Sequence, residues 1–199
     1  MSKARAKKIK LILFDVDGVL TDGTIWLVPS SGQSGAAPDA GKSLADGGLN
    51  IASSNIVEAK GFHAHDGVGF SLARFGGLKT GIITRRSSET VALRAKDLKL
   101  DFVYQGQMNK LATLEKIMKD AGLSAEEIAF VGDDIVDLPV MRKVGLAICV
   151  PNSRSEVEDE SHVITDHAGG HGAARDAVEY ILRAQGILED SIDRYLKHG

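Results

Sequence analysis

Six short apolar runs rich in β-branched residues recur along the chain, at 9–14, 80–84, 102–104, 128–131, 146–150 and 162–164. Most of these runs are near-continuous rather than alternating, the pattern of strands covered on both faces. Between them the apolar positions take helical spacing over 68–75, 88–98, 110–121, 135–144 and 173–188, with Gly122 placed as a helix stop. Strand and helix in alternation predict βαβ units, hence an α/β fold with a mostly parallel sheet and helices on both faces. In such sheets ligands bind beyond the carboxyl ends of the strands, so the residues just after each apolar run are the ones to search for chemistry.

The rhythm breaks over 29–54, where Pro29, Pro38, Gly32, Gly35, Gly41, Gly47 and Gly48 sit among serines with almost no periodic apolar residue. This reads as a long loop with a mobile tip. It is bracketed by 24–28 and 55–59, two candidate strands that could pair as an antiparallel hairpin. Of 22 glycines, 13 lie between Gly18 and Gly81; Gly18, Gly23, Gly67 and Gly69 are expected in turns beside a site, and the five glycines of 29–54 in the loop. The segment 189–197 has helical character but no evident place.

Composition narrows the function classes. Hydrophobic residues make up 43% and charged residues 26% of the 199, which excludes global disorder and allows a sizeable core. A formal net charge of −3 argues against a nucleic-acid partner, and the one basic cluster, Lys3, Arg5, Lys7, Lys8 and Lys10, reads as a solvated terminus. No apolar stretch approaches the roughly 20 residues of a membrane-spanning helix, so no membrane partner, signal peptide or anchor is expected. Cys149 is the single cysteine and has Ala147, Ile148 and Val150 around it, the setting of a structural strand residue. A cytoplasmic location is the expectation.

The first apolar run leads straight into Asp15-Val16-Asp17-Gly18. The two carboxylates are either turn residues or a close pair that needs a cation between its charges, with Gly18 turning the chain. A second cluster, Asp133, Asp134 and Asp137, follows the 128–131 run. One aspartate would cap a helix there, but three exceed what a cap needs and fit the other half of an oxygen-rich metal site. Thr84 and Lys110, each at the edge of a predicted element, add a hydroxyl and a fixed cation. Together with a divalent metal these can grip a phosphate. His63 and His65 lack further ligands nearby, which speaks against zinc.

The order Asp15-x-Asp17-Gly18, Thr84 after a strand, Lys110, then Gly132-Asp133-Asp134-x-x-Asp137 resembles the haloacid dehalogenase superfamily. Within it, segments 15–23, 65–69, 105–110 and 169–175 resemble the 3-deoxy-D-manno-octulosonate 8-phosphate phosphatases, from residue 9 to about 186 with a gap at the loop. The resemblance implies a three-layer Rossmann-like sheet with a β-hairpin flap and no large cap domain. It gives one phosphatase domain over 1–199 with the flap inserted at about 24–59. The implied activity is Mg²⁺-dependent hydrolysis of a phosphorylated sugar acid through an aspartyl-phosphate.

On this chain Asp15 would attack phosphorus, and Asp17 would protonate the leaving oxygen and then activate water. Asp15, Asp133 and the backbone carbonyl of Asp17 would hold Mg²⁺. Thr84 and Lys110 would bind phosphate oxygens, while Asp134 and Asp137 would position metal-bound waters or brace Lys110. Arg86, Arg94 and the segment His63, Ala64, His65, Asp66, Gly67 match positions that contact the sugar acid; exposed charges at a helix start are the other reading of the two arginines. Similar proteins form homotetramers in which a hairpin helps close the neighbouring site, a role that would fall to 24–59. Family members commonly carry arginine where this chain has His65, Ser71 and His171, and glycine where it has Arg85. These departures leave a nonulosonate 9-phosphate or another sugar phosphate open as substrate. A non-catalytic binding subunit is a third reading, against which the full set Asp15, Asp17, Thr84, Lys110 and Asp133 speaks.

Overall fold

A computed structural model describes residues 2–29, 49–50 and 56–198. In chain order the elements are α1 (Ser2–Ala6), β1 (Leu11–Phe14), β2 (Trp26–Pro29), β3 (Leu49–Asn50), β4 (Ile56–Ala59), α2 (Ala64–Phe75), β5 (Lys79–Ile83), β6 (Arg86–Ser87), α3 (Glu89–Asp97), β7 (Phe102–Tyr104), α4 (Lys110–Ala121), β8 (Ile128–Gly132), α5 (Leu138–Met141), β9 (Leu146–Cys149), α6 (Ser155–Asp159), β10 (Val163–Ile164), α7 (Ala173–Gln185) and α8 (Leu188–His198). The six predicted strands form one sheet in the order β10-β9-β8-β1-β5-β7. Every pairing in it is parallel, and β1 lies at the centre between β5 and β8.

The alternation of side chains explains why β1 is apolar throughout. Ile12 and Phe14 enter one core with Phe70 and Leu72 of α2, Val178 and Ile181 of α7, and Leu188 of α8. Leu11 and Leu13 enter the other core, with Leu114 and Ile117 of α4, Val140 and Met141 of α5, and Val157 of α6. A strand with helices on both faces buries both of its side-chain sets, so no polar position is tolerated until the chain leaves the sheet at Asp15. Phe14 and Phe70 meet edge to face with ring centroids 5.1 Å apart, which seats α2 on the centre of the sheet.

Several expectations are corrected. The 135–144 helix is a short 3-10 turn, Ile135–Asp137, followed by α5, which ends at Met141. The 173–188 helix stops at Gln185 because Gly186 takes a left-handed cap, and 187 starts the turn into α8. Gly67 and Gly69 lie inside α2 rather than in turns; at Gly69 the missing side chain lets the backbone of Arg175 in α7 approach. The hairpin forms, but its strands are Trp26–Pro29 and Ile56–Ala59, with Trp26 opposite Ala59. Asn55 and most of the 29–54 loop lie outside the described residues. Within that loop, Leu49–Asn50 forms a two-residue parallel pairing with Arg86–Ser87.

Candidate active site

The site lies at the carboxyl ends of β1, β5 and β8. Where β1 ends, the Asp15 amide still donates to Val131 O at 2.9 Å, holding the residue in line with the sheet. Its Oδ1 accepts from the Val16 amide at 2.7 Å, which fixes the side chain and leaves Oδ2 to Lys110 at 2.9 Å. Lys110 opens α4, whose first turn is capped by Asn109, and its buried ammonium also meets Asp137 Oδ1 at 2.7 Å. The second oxygen of Asp137 accepts from the amides of Asp133 and Asp134 at 3.1 and 3.4 Å. Both oxygens of Asp137 are therefore engaged, and it braces Lys110. Asp134 is an exposed cap whose Oδ1 accepts from Ile135 N.

Asp15, Asp133 and Asp137 bring ligand oxygens within 4.8 Å of one another. Both oxygens of Asp15 are also engaged, by Val16 N and Lys110, so Asp133 is the member of this trio with an oxygen left for a cation, beside the Asp15 carboxylate. Asp133 Oδ1 is buried with no hydrogen-bond partner, a costly state for a carboxylate. Gly18, with φ at 88°, packs directly on the Asp133 carboxylate, where any Cβ would collide with it. Hard oxygen donors with an unpaired buried charge fit a hard divalent cation such as Mg²⁺.

Electrostatics points the same way. One ammonium faces more carboxylates than it can balance, so Lys110 is held charged and the surplus falls on the acids. Burial, offset only in part by Lys110, pushes Asp15 up to about 7. Burial, then the Asp15 and Asp137 charges, pushes Asp133 up to about 8. A carboxyl raised in the folded state binds its proton more tightly there than in the unfolded chain, so this contribution is complete below about pH 4 and lost as the pH climbs through 8. Cation-free protein is expected to melt lower at pH 8 than at pH 6. Added Mg²⁺ is expected to raise the melting temperature by roughly 3 °C or more at pH 8 and by less at pH 6, where protons compete. Equal shifts at both pH values in a thermal melt would contradict this.

Asp17 faces away from that cluster. Its Oδ1 is paired with the Nζ of Lys60, and Arg86 Nε lies 3.7 Å from its Oδ2. Lys60 also contacts Glu58 Oε1 at 2.8 Å, and Arg86 Nη2 meets Glu58 Oε2 at 3.1 Å. Glu58 and Lys60 were not singled out in the sequence; alternation puts them on one side of the second hairpin strand, the only signal that could have marked them. Thr84 is buried just after β5, its backbone tied to Tyr104 O and Gln107 N. Asn152, also missed, donates to Gly18 O at 2.9 Å and accepts from Gly169 N at 2.7 Å, stapling the 169–172 turn to the loop after β1.

The segment 63–67 lies beside the 169–172 turn. His63 caps α2 through Nδ1, Ala64 opens the helix, and the rings of His63 and His65 stack edge to face 4.6 Å apart beside Gly172. Asp66 is buried and accepts from the Arg175 amide at 3.1 Å, so it caps α7 and burial raises its pKa. Gly67 lies against Arg94, whose guanidinium pairs with Asp97, donates to His63 O and covers the Phe62 ring. Asp66, Arg94 and Arg86 are thus held by protein partners, the last by Glu58, and the exposed His65 is the freer group. An open groove of about 800 Å³ lined by Lys8, Lys10, Gly77 and Glu127 lies at the other end of the strands; its Lys8 and Lys10 are already paired with Glu126 and Glu127.

A parallel α/β sheet with an aspartate pair after its central strand, a buried lysine and a second acidic cluster after the neighbouring strand defines a haloacid dehalogenase-like hydrolase. The sequence family of that description matches residues 82–175. The chain is 34% identical to the 3-deoxy-D-manno-octulosonate 8-phosphate phosphatase of Escherichia coli, over 94% of this chain and 87% of that protein. The crystal structure of the Moraxella catarrhalis phosphatase of the same name, in complex with a magnesium ion, a phosphate ion and a KDO molecule, superposes with a TM-score of 0.80 at 35% identity, covering 97% of each chain. A probable YrbI family phosphatase from Pseudomonas syringae gives the same TM-score at 39% identity, over 98% of this chain and 96% of that one. The chain belongs to the 3-deoxy-D-manno-octulosonate 8-phosphate phosphatase family of these hydrolases.

Proposed function

We propose that this chain hydrolyses a phosphorylated sugar acid, 3-deoxy-D-manno-octulosonate 8-phosphate, through an aspartyl-phosphate on Asp15. The observation that carries the reading is the buried Asp15–Lys110–Asp137 chain with the unpaired Asp133 oxygen beside it. Asp15 and Asp133, with the backbone carbonyl of Asp17, hold Mg²⁺, which when bound offsets the repulsion between an anionic nucleophile and an anionic phosphate. Asp15 Oδ2 attacks phosphorus, and Thr84 and Lys110 receive the non-bridging oxygens. Asp17 gives its proton to the sugar oxygen as the phosphorus–oxygen bond breaks, then takes one from the water that cleaves the acyl phosphate. Asp137 keeps Lys110 aimed at Asp15, and Asp134 shapes the turn beneath it.

Arg86 and His65 face the sugar acid, while Asp66, Gly67, His63, Ala64 and Arg94 fix the shape of the segment that lines it. Phosphate release should favour the octulosonate 8-phosphate over a neutral sugar phosphate by about tenfold or more in kcat/KM, because a charged group facing the carboxylate is worth at least that. A panel with a nonulosonate 9-phosphate included tests it; release no faster from either sugar acid than from the neutral sugar would overturn the assignment.

The chain acts as one phosphatase domain, in the cytoplasm, as a homotetramer whose flaps close neighbouring sites. Among the described residues no helix is long and apolar enough to cross a membrane. One face of the flap strands exposes Trp26, Val28 and Val57, with Ile25 just before the strand and Leu27 exposed on the other face, apolar surface suited to a second copy. A solution mass of four chains at micromolar concentration is expected. A monomeric mass with full activity would sink the tetramer.

A further inference from the structure

The flap carries a lysine where a lysine is costly. Lys60 follows β4, and its side chain is fully buried. An ammonium is kept there only if carboxylates surround it, and among the described residues the two that do are Glu58, which precedes it on β4, and Asp17, from the loop after β1. Arg86 closes a ring of alternating charge by touching Glu58 and approaching Asp17. The two oxygens of Asp17 are thereby made unequal. Oδ1 is taken by Lys60, whereas Oδ2 has, among the described residues, only the Arg86 Nε at 3.7 Å, a donor that forms no hydrogen bond with them.

The geometry points to Lys60, clamped by Glu58, as a positioning residue that holds the Asp17 carboxyl by one oxygen and presents the other to the leaving group, tying the acid step to the seating of the flap. This rests on Asp17 as the proton donor. In that step the bond from phosphorus to the sugar oxygen breaks as the bond to Asp15 Oδ2 forms, and the sugar oxygen takes the proton from Asp17 Oδ2. The Asp17 carboxylate left behind stays paired with Lys60. Glu58 touches neither the sugar nor phosphorus in this account; it fixes where the ammonium stands.

The test is leaving-group dependence. A sugar alkoxide needs a proton to depart, whereas p-nitrophenolate leaves without one. Lys60→Ala is expected to lower kcat/KM for the octulosonate 8-phosphate by about 30-fold and for p-nitrophenyl phosphate by less than about threefold, as for a lost general-acid contribution. Lys60→Arg should recover most of the difference. In an Asp17→Asn background Lys60→Ala should change the ratio no further. Because both substrates are assayed on one preparation, loss of folded protein cancels from the ratio. Equal losses on both substrates, or none, would overturn the inference while Asp17→Asn still separates them. If Asp17→Asn itself does not separate them, the acid role of Asp17 fails and the inference with it.

Discussion

Asp15→Asn is expected to lower kcat by about 10⁴-fold or more, the scale seen when a covalent nucleophile is removed from an otherwise intact site. An amide of the same shape cannot form the acyl phosphate, because its oxygen carries no charge and its nitrogen lone pair is delocalised. Folding should survive. Lys110 keeps its 2.7 Å contact with Asp137, and the carboxyl removed is one that burial has already pushed up to about 7. A melting temperature close to that of the unaltered protein, alongside lost turnover, separates a chemical defect from a structural one. Retained turnover would remove Asp15 from the reaction.

Lys110→Met is expected to damage both stability and rate. The substitution fills the same volume but leaves Asp15 and Asp137, both buried, without their cation. Breaking a buried pair by removing one partner costs about 3 kcal/mol or more. Loss of a preorganised group on the phosphate oxygens should lower kcat/KM by about 10³-fold. The deficit in stability should shrink at low pH: carboxyls whose folded pKa is raised are stabilising while protonated, and this is lost as the pH rises through that value. Denaturant unfolding at pH 5 and pH 8 measures it. A deficit that is the same at both pH values would mean that the ammonium is not balancing these acids.

The sheet was legible because burial on both faces writes a near-continuous apolar run, and all six strands were found near their ends. The helix boundaries were less legible. α2 starts early because His63 serves as its cap, so Asp66, Gly67 and Gly69 looked like turn chemistry. α8 shows an apolar spacing at Leu188, Ile192 and Tyr195, yet only Gly186 and Ile187 separate it from α7, so the sequence carries the first helix on to 188 and leaves 189–197 helical but without a place. Within the site, Asp15, Asp17, Asp133, Asp137, Thr84 and Lys110 stood out because acids, a hydroxyl and a lysine at strand ends have little structural use. Lys60 and Asn152 did not, because the partners that give them meaning lie 43 and 134 positions away. A charged residue on a hairpin strand looks like a solvated face until the fold closes it over another carboxylate.

The covalent role of Asp15 can be tested on the intact enzyme. Turnover of the octulosonate 8-phosphate with Mg²⁺ is quenched in acid, the protein is reduced with borohydride, and its peptides are mapped by mass. An aspartyl-phosphate at position 15 is reduced to homoserine there, in substrate-treated samples only, and the account predicts that result. Homoserine at another aspartate, or none at all together with inverted stereochemistry at phosphorus, would contradict it.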